Sequence, residues 1–337
     1  MKPTLVLAAL LALPLAAQQA TPSSHGTQIV VTALGNDHQP AAPIAASQVQ
    51  LHLNGHADPI AQWAPYGPNQ RIDLTVAIDD DTQHLGTGID DIKTFIRNLP
   101  ANVAVGVVYL HTGSFEVASG VTLNHAAAAS KVRMPSGMRD SSPSPFGSLR
   151  DLLRHWPQQP GVRRELVMLS DGREETGVND QSNHTFQSAL ATALAGGVVV
   201  YTIYASGGTD YAQGQLSNNS LVPDAAQALG QPRGTTIASG TPLSVFRNSN
   251  LDAANGSQNL SLLASETGGE GYANGISNSS RLTQYFNDIN RRLTSQYRLV
   301  FTPNRAKDHG MTKVEVKVSH SHAHITAPKA VFLTPKS

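Results

Sequence analysis

Cysteine is absent from all 337 residues. Disulfides, thiolate zinc sites and a lipid-modified N-terminal Cys are therefore excluded. Charge is scarce as well: Asp, Glu, Lys and Arg make up 14% of the chain, and 24 acidic residues balance 24 basic ones. A neutral chain lacks the basic surface that nucleic acid or an anionic membrane attracts, so no nucleic-acid partner is expected. Beyond residue 17 no apolar run is long enough to cross a bilayer, so the mature chain is expected to have no membrane span. Catalytic signatures are missing too. There is no Gly-x-Ser-x-Gly elbow, no His-Glu-x-x-His pair and no phosphate-binding Gly-rich loop with Lys. Gly268-Gly269-Glu270-Gly271 follows a helical stretch, the reverse of a nucleotide fingerprint, and reads as a helix cap and turn. An enzyme is not expected.

What is present starts with an export signal. Lys2 precedes an apolar run from Leu5 to Ala17, with small residues at Ala16, Ala17 and Ala20. That is the length of a signal-peptide core, so residues 1–20 are expected to be a signal peptide and the protein periplasmic or extracellular.

Residues 26–66 read as a β segment. Gln28–Leu34 and Val49–Leu53 alternate as strands, Asn54-Gly55 is a hairpin signal, and Ile60–Trp63 is expected to be the returning strand. The rhythm then changes. Over 71–294 apolar strands alternate with amphipathic helices: strands at Ile72–Ile78, Val103–Leu110, Leu166–Leu169 and Val198–Tyr204, helices at Gly86–Leu99, Val121–Val132, Phe146–Trp156, His184–Ala195, Leu260–Thr267 and Arg281–Leu293. Continuous apolar strands between helices predict an α/β fold with a doubly wound, mostly parallel sheet. Residues 205–256 form a polar insertion, with one short helix expected at Pro223–Leu229. A C-terminal β segment follows over 295–335, with strands at Gln296–Phe301, Lys313–Val318 and Lys329–Leu333. Each terminal segment has too few strands to stand alone, so the two are expected to pair into one small β-sandwich-like unit.

Four stretches in order carry a family resemblance: Ile72–Ile78 followed by Asp79-Asp80-Asp81-Thr82-Gln83; Leu166-Val167-Met168-Leu169-Ser170-Asp171-Gly172; Leu262–Gly269; and Leu293–Pro303. With them, the central region resembles a von Willebrand factor A (VWFA) domain. The chain over about 28–335 is similar to the exported "VWFA-related" proteins common in acidobacteria. The resemblance implies a metal site at the C-terminal edge of the parallel sheet, where ligands of open α/β sheets bind. The family pattern there is Asp-x-Ser-x-Ser, a Thr from a second loop and an Asp from a third. Asp79 matches the first Asp and Asp171 the last. Asp81 and Gln83 stand where the two Ser belong, and Gly147 falls at the Thr position, with Ser148 or Ser144 as possible replacements. The resemblance thus implies metal ligation by Asp79, Asp81, Asp171, Gln83 and Ser148. Oxygen donors suit Mg²⁺ or Ca²⁺. Asp81 in place of a hydroxyl offsets the cation's charge, favouring a structural role over attraction of an acidic partner. The bland alternative is that this acidic loop is a solvated strand end.

Two further features remain. His320, His322 and His324 would share one face of a strand and offer three imidazoles to a metal, against the plainer reading of a His-rich edge strand. Glu174-Glu175 after Asp171-Gly172 read as solvated loop residues, with added charge at the metal rim as the alternative. The expected function is protein binding of the adhesion type at the sheet's edge, through an acidic residue of the partner. The alternatives are an envelope scaffold with a lost metal site and a surface metal binder at the C-terminal histidines.

Overall fold

The structure is a computed structural model. It describes residues 26–36, 38–82, 85, 88–136, 144–159, 161–174, 179–205, 256–273, 279–305, 308–319 and 322–334. The expected signal peptide, the Pro223–Leu229 helix, Gln83, Glu175 and His320 lie outside the described residues.

A six-stranded sheet forms the centre. Its strands are β5 (Ile72–Asp79), β6 (Val103–His111), β7 (Ser114–Thr122), β8 (Arg163–Ser170), β9 (Val199–Tyr204) and β10 (Gly271–Tyr272). The spatial order is β10-β9-β8-β5-β6-β7, and only β7 runs antiparallel. β5 and β8 are buried along their whole length, as inner strands of a sheet covered on both faces are; Val76-Ala77-Ile78 and Leu166–Leu169 are their continuous apolar runs, while Asp73 and Thr75 are buried polar residues of β5. β8 begins three residues earlier than its apolar run, because Arg163, Arg164 and Glu165 are buried strand residues.

Helices α1 (Ile89–Arg97), α2 (His125–Ser130) and α6 (Ser279–Thr294) pack on one face of the sheet. Helices α3 (Pro145–His155), α4 (Asn179–Ala195) and α5 (Gly256–Thr267) cover the other. In α1 the apolar positions Ile89, Ile92, Phe95 and Ile96 fall on the buried side. Asp90 and Asp91 sit in its first turn and Arg97 in its last, in the sense that the helix dipole favours.

The helix expected over Val121–Val132 is corrected. Thr112 and Gly113 both take positive φ, the pattern of a tight hairpin turn, and send the chain back along β6 as the edge strand β7. Only residues 125–130 are helical, and Asn124 caps that helix by accepting the Ala127 amide at 3.0 Å.

The terminal strands pair with one another around a separate core that includes Ile29, Val31, Leu51, Leu53, Leu299 and Phe301. One sheet has the order β13-β1-β11-β4, from β1 (Thr27–Leu34), β4 (Ile60–Pro65), β11 (Gln296–Phe301) and β13 (His324–Thr326). The other has the order β14-β12-β2-β3, from β2 (Val49–Leu53), β3 (His56–Asp58), β12 (Gly310–Val318) and β14 (Ala330–Leu333). Asn54 and Gly55, both at positive φ, close the β2–β3 hairpin. The strand returning from that turn is therefore β3, not Ile60–Trp63. Pro59, which has no N–H to donate, separates β3 from β4, and β4 crosses to pair with β11 in the other sheet.

Candidate functional site

β5 and β8 are adjacent parallel strands and deliver Asp79 and Ser170 side by side at their C-terminal ends. Ser170 Oγ donates to Asp79 Oδ2 at 2.5 Å, and the Asp81 amide donates to Asp79 Oδ1 at 3.1 Å. Ser170 Oγ in turn accepts the Gly172 amide at 2.9 Å. Asp171 turns outward, half-buried, with its Oδ1 accepting the Arg173 amide at 3.0 Å. Gly172, at φ +66°, and Gly256, the first residue of α5, lie against each other; a side chain on either would overlap the facing backbone. The turn after β8 is thus fixed by two glycines that permit backbone-to-backbone contact.

Asp79 is only 4% exposed. Burial, then the charge of Asp171, push its carboxyl up to about 8; the hydrogen bonds from Ser170 and the Asp81 amide oppose this, and the charge of Asp81 adds to it. At neutral pH Asp79 therefore holds a proton for most of the time.

The neighbouring carboxylates serve other ends. Asp80 is held by Arg133, with Nη1 at 2.7 Å and Nη2 at 3.2 Å, and accepts the Ser136 amide at 2.9 Å. Burial would raise its pKa, but these bonds together bring it below the usual carboxylate range. Thr82 is buried and donates its hydroxyl to the Asp79 carbonyl at 2.7 Å.

The structure corrects the reading of Glu174 as a solvated loop residue: it is 2% exposed. One of its oxygens accepts the Ser144 hydroxyl, and the other accepts the Phe146 amide at 3.2 Å in the first turn of α3. Burial pushes its pKa up to about 7, against those two bonds and the charge of Arg150. A carboxylate at a helix start is stabilised by the orphan amides and the dipole. Nothing in the sequence marks Glu174 apart from Glu175; the signal is its position facing a Ser-Pro helix start.

At Gly147, where the family pattern has Thr, an added Cβ would run into Ser144 Oγ and lie 3.4 Å from Gly113 Cα. The Ser144 hydroxyl fills the space a side chain at 147 would need. Ser148 is fully buried on α3, its Oγ without a hydrogen-bond partner, and so makes no hydrogen bond to Asp79, Asp81 or Asp171. His324 lies in β13, the edge strand of its sheet, and His322 precedes that strand. Among the described residues no three His, Asp or Glu side chains gather closely enough to hold a metal ion.

The donor chemistry at Asp79, Asp171 and Ser170 still fits one kind of ion. Mg²⁺ is held through one or two carboxylates with water completing its shell. A buried carboxyl whose pKa is raised by a neighbouring carboxylate gains from a hard cation in place of a proton. Asp79 and Asp171 would be the residues that hold it.

The chain outside the sheet also converges here. The Ala205 amide, just past β9, donates to the Ser170 carbonyl at 2.8 Å, and Gly256 packs on Asp171 and Gly172. Ala205 and Gly256, which flank residues 206–255 in the chain, thus both lie at the end of β8.

No protein-family profile matches the chain, and no curated protein sequence does. Among solved structures the chain is similar to the conserved hypothetical protein BatB from Bacteroides thetaiotaomicron, at 15% identity over 40% of this chain and 66% of that one, with a TM-score of 0.32. It is similar to an aerotolerance-related membrane protein from Bacteroides fragilis, at 18% identity over 39% of this chain and 66% of that one, TM-score 0.32. It is also similar to the vWF domain of the type V pili tip protein Mfa5 from Porphyromonas gingivalis, at 16% identity over 39% of this chain and 51% of that one, TM-score 0.27. The chain spans less than two thirds of the length of each. Counted within the sheet, the strands run 3-2-1-4-5-6 with only strand 3 antiparallel, so the central domain has a doubly wound, von Willebrand factor A-like α/β fold.

Proposed function

We propose that the protein is an exported, non-enzymatic protein-binding module of the exported VWFA-related kind. Its binding edge is the C-terminal edge of the six-stranded sheet, centred on Asp79 and Asp171. The observation that carries this reading is the buried Asp79 carboxyl, raised to about 8 with Asp171 beside it, at the edge where such sheets bind ligands. A bound Mg²⁺ or Ca²⁺ would supply a positive coordination position for an acidic residue of a protein partner. Ser170 and the Asp81 amide orient Asp79, and the glycine contact at 172 and 256 holds the Asp171 turn. Ala205 and Gly256 border this edge, and the segment 206–255 between them contributes to partner choice. No helix among the described residues is long and apolar enough to cross a membrane.

The test is calorimetric titration of Mg²⁺, Ca²⁺ and Mn²⁺ into the protein and into Asp79→Ala. Saturable binding that disappears in the variant is the expected result. The absence of both heat and thermal stabilisation at millimolar cation would remove the cation from the proposal. One observation favours a second reading, a scaffold whose metal site is lost: Ser144 and Glu174 occupy the space and hydrogen bonds around the Thr position. Under that reading, Asp79→Ala leaves partner binding unchanged.

A further inference from the structure

The opposite edge of the same sheet holds a different kind of charge. β8 enters with Arg163-Arg164-Glu165, all more than nine-tenths buried. Arg163 is compensated: its guanidinium lies 4.0 Å over the Tyr66 ring, 3.9 Å from Glu165, and donates to Gln296 and to the Leu293 carbonyl. Its Nε is nevertheless buried without a hydrogen-bond partner. Among the described residues no anion compensates Arg164. It donates to the Trp156 carbonyl at 3.4 Å and to the Gly196 carbonyl, with the Trp156 ring 5.9 Å away. No carboxylate among the described residues pairs with it. A buried cation without an anionic partner costs several kcal/mol, and proteins rarely carry one without a use.

Both arginines line one cavity of about 140 Å³ between the N-terminal edge of the sheet and β14 of the β unit. Beside the polar Gln28 and Thr267, the wall carries the aliphatic side chains of Ile29, Val162, Leu194 and Val331. A cavity of roughly this size accommodates a molecule of about six heavy atoms. A guanidinium in an aliphatic wall matches a ligand with a carboxylate at one end and a short alkyl group at the other. Phosphate would satisfy Arg164 but set polar oxygens against the aliphatic side.

We propose that this cavity is a binding site for a short-chain aliphatic carboxylate, its carboxylate on Arg164 and its alkyl group on the Val and Leu wall. The site is separate from the Asp79 edge and does not depend on the function proposed there.

Sodium butyrate, butyramide and inorganic phosphate, each titrated at constant ionic strength in chloride into the full chain by calorimetry and thermal melting, test it. Butyrate is expected to give saturable heat and a higher Tm, and the neutral butyramide neither. Arg164→Met, which keeps the stem and removes the charge, is expected to weaken butyrate about ten- to hundredfold, the worth of charged hydrogen bonds. Val331→Phe fills the apolar end without touching either arginine and is expected to abolish binding. No response to butyrate overturns the proposal. So does an equal response to butyramide, phosphate binding in place of butyrate, or butyrate binding undiminished in Arg164→Met. Because butyrate, butyramide and phosphate are compared on the unaltered chain, a variant that fails to fold leaves the test intact.

Discussion

Strand β8 starts with Arg163-Arg164-Glu165 and ends at Ser170, just before Asp171, and the molecule treats the two ends in opposite ways. At the start, the β unit closes over the charges. Glu165 accepts from Tyr201 at 2.9 Å and from Gln296 at 3.1 Å, and Gln296 belongs to β11. At the other end no strand of the β unit intervenes, and Asp79 faces Asp171 with hydrogen bonds in place of a counter-charge. Where a neighbouring element supplies partners, buried charge becomes structure. Where only short turns follow the strand, like charge is left to be settled by a proton or a ligand.

The pH dependence of stability breaks or sharpens that contrast, and its effect is the largest expected. Asp79 has a folded pKa of about 8 against 3.8 for the free side chain. The folded state therefore binds more protons than the unfolded chain between these values. The contribution is fully favourable below about pH 4 and is lost as pH rises through about 8. The difference is on the order of 5 kcal/mol. In chelator, wild-type stability should fall across this window, while Asp79→Asn, an uncharged isostere, should lose much less. Glu174, with a pKa of about 7, adds a fall of the same sign in both proteins. Millimolar Mg²⁺ should lift the wild type at the alkaline end only. Parallel denaturation midpoints for the two proteins from pH 5 to 9 would refute the strained pair.

Two buried arginines give the next comparison. Arg292 on α6 is 2% exposed and pairs with Asp288 and Glu270, each at 2.7 Å. Replacing it with Met takes that cation from Glu270 and leaves Asp288 with Arg291 at 3.1 Å and the Tyr272 hydroxyl at 2.7 Å, and should cost about 2–3 kcal/mol by urea denaturation, the worth of lost hydrogen bonds between charged groups. Arg164→Met removes a cation that has no such partner and, without ligand, should cost less than ~1 kcal/mol or stabilise. Equal costs would mean that the carbonyls around Arg164 satisfy it as fully as carboxylates do.

Much of this was legible in the sequence because local chemistry and tertiary context agree there. The apolar runs of β5, β6 and β9, the face of α1 and the Asn54-Gly55 turn follow from periodicity and backbone preference alone. The failures occur where context overrides them. β7 carries exposed Val117 and Val121 on an edge, so it lacks a strand's clean alternation, and its turn is marked only by Thr112-Gly113. Arg163-Arg164-Glu165 look like loop residues until Tyr66, Tyr201 and Gln296 are seen to meet them. At the site, Asp79 and Asp171 were readable from their strand ends. The burial of Glu174 was not, because its partners Ser144 and Phe146 lie about 30 residues away in sequence.

The smallest effect expected concerns whether the threonine position can be restored. Gly147→Thr must push against Ser144 Oγ and should cost about 1–3 kcal/mol, the usual range for overpacking a buried position. Ser144→Ala alone removes one donor to Glu174 and should cost about 1 kcal/mol. Together the two changes should cost less than their sum, because the alanine gives up the space the threonine needs; residues in contact are where additivity fails. A double variant that is stable and binds Mg²⁺ more tightly than wild type would show that Ser144 and Glu174 stand in for the threonine at the expense of cation affinity. A strictly additive loss would mean that the obstruction lies in the backbone at Gly113, and that this end of α3 was built without room for a threonine.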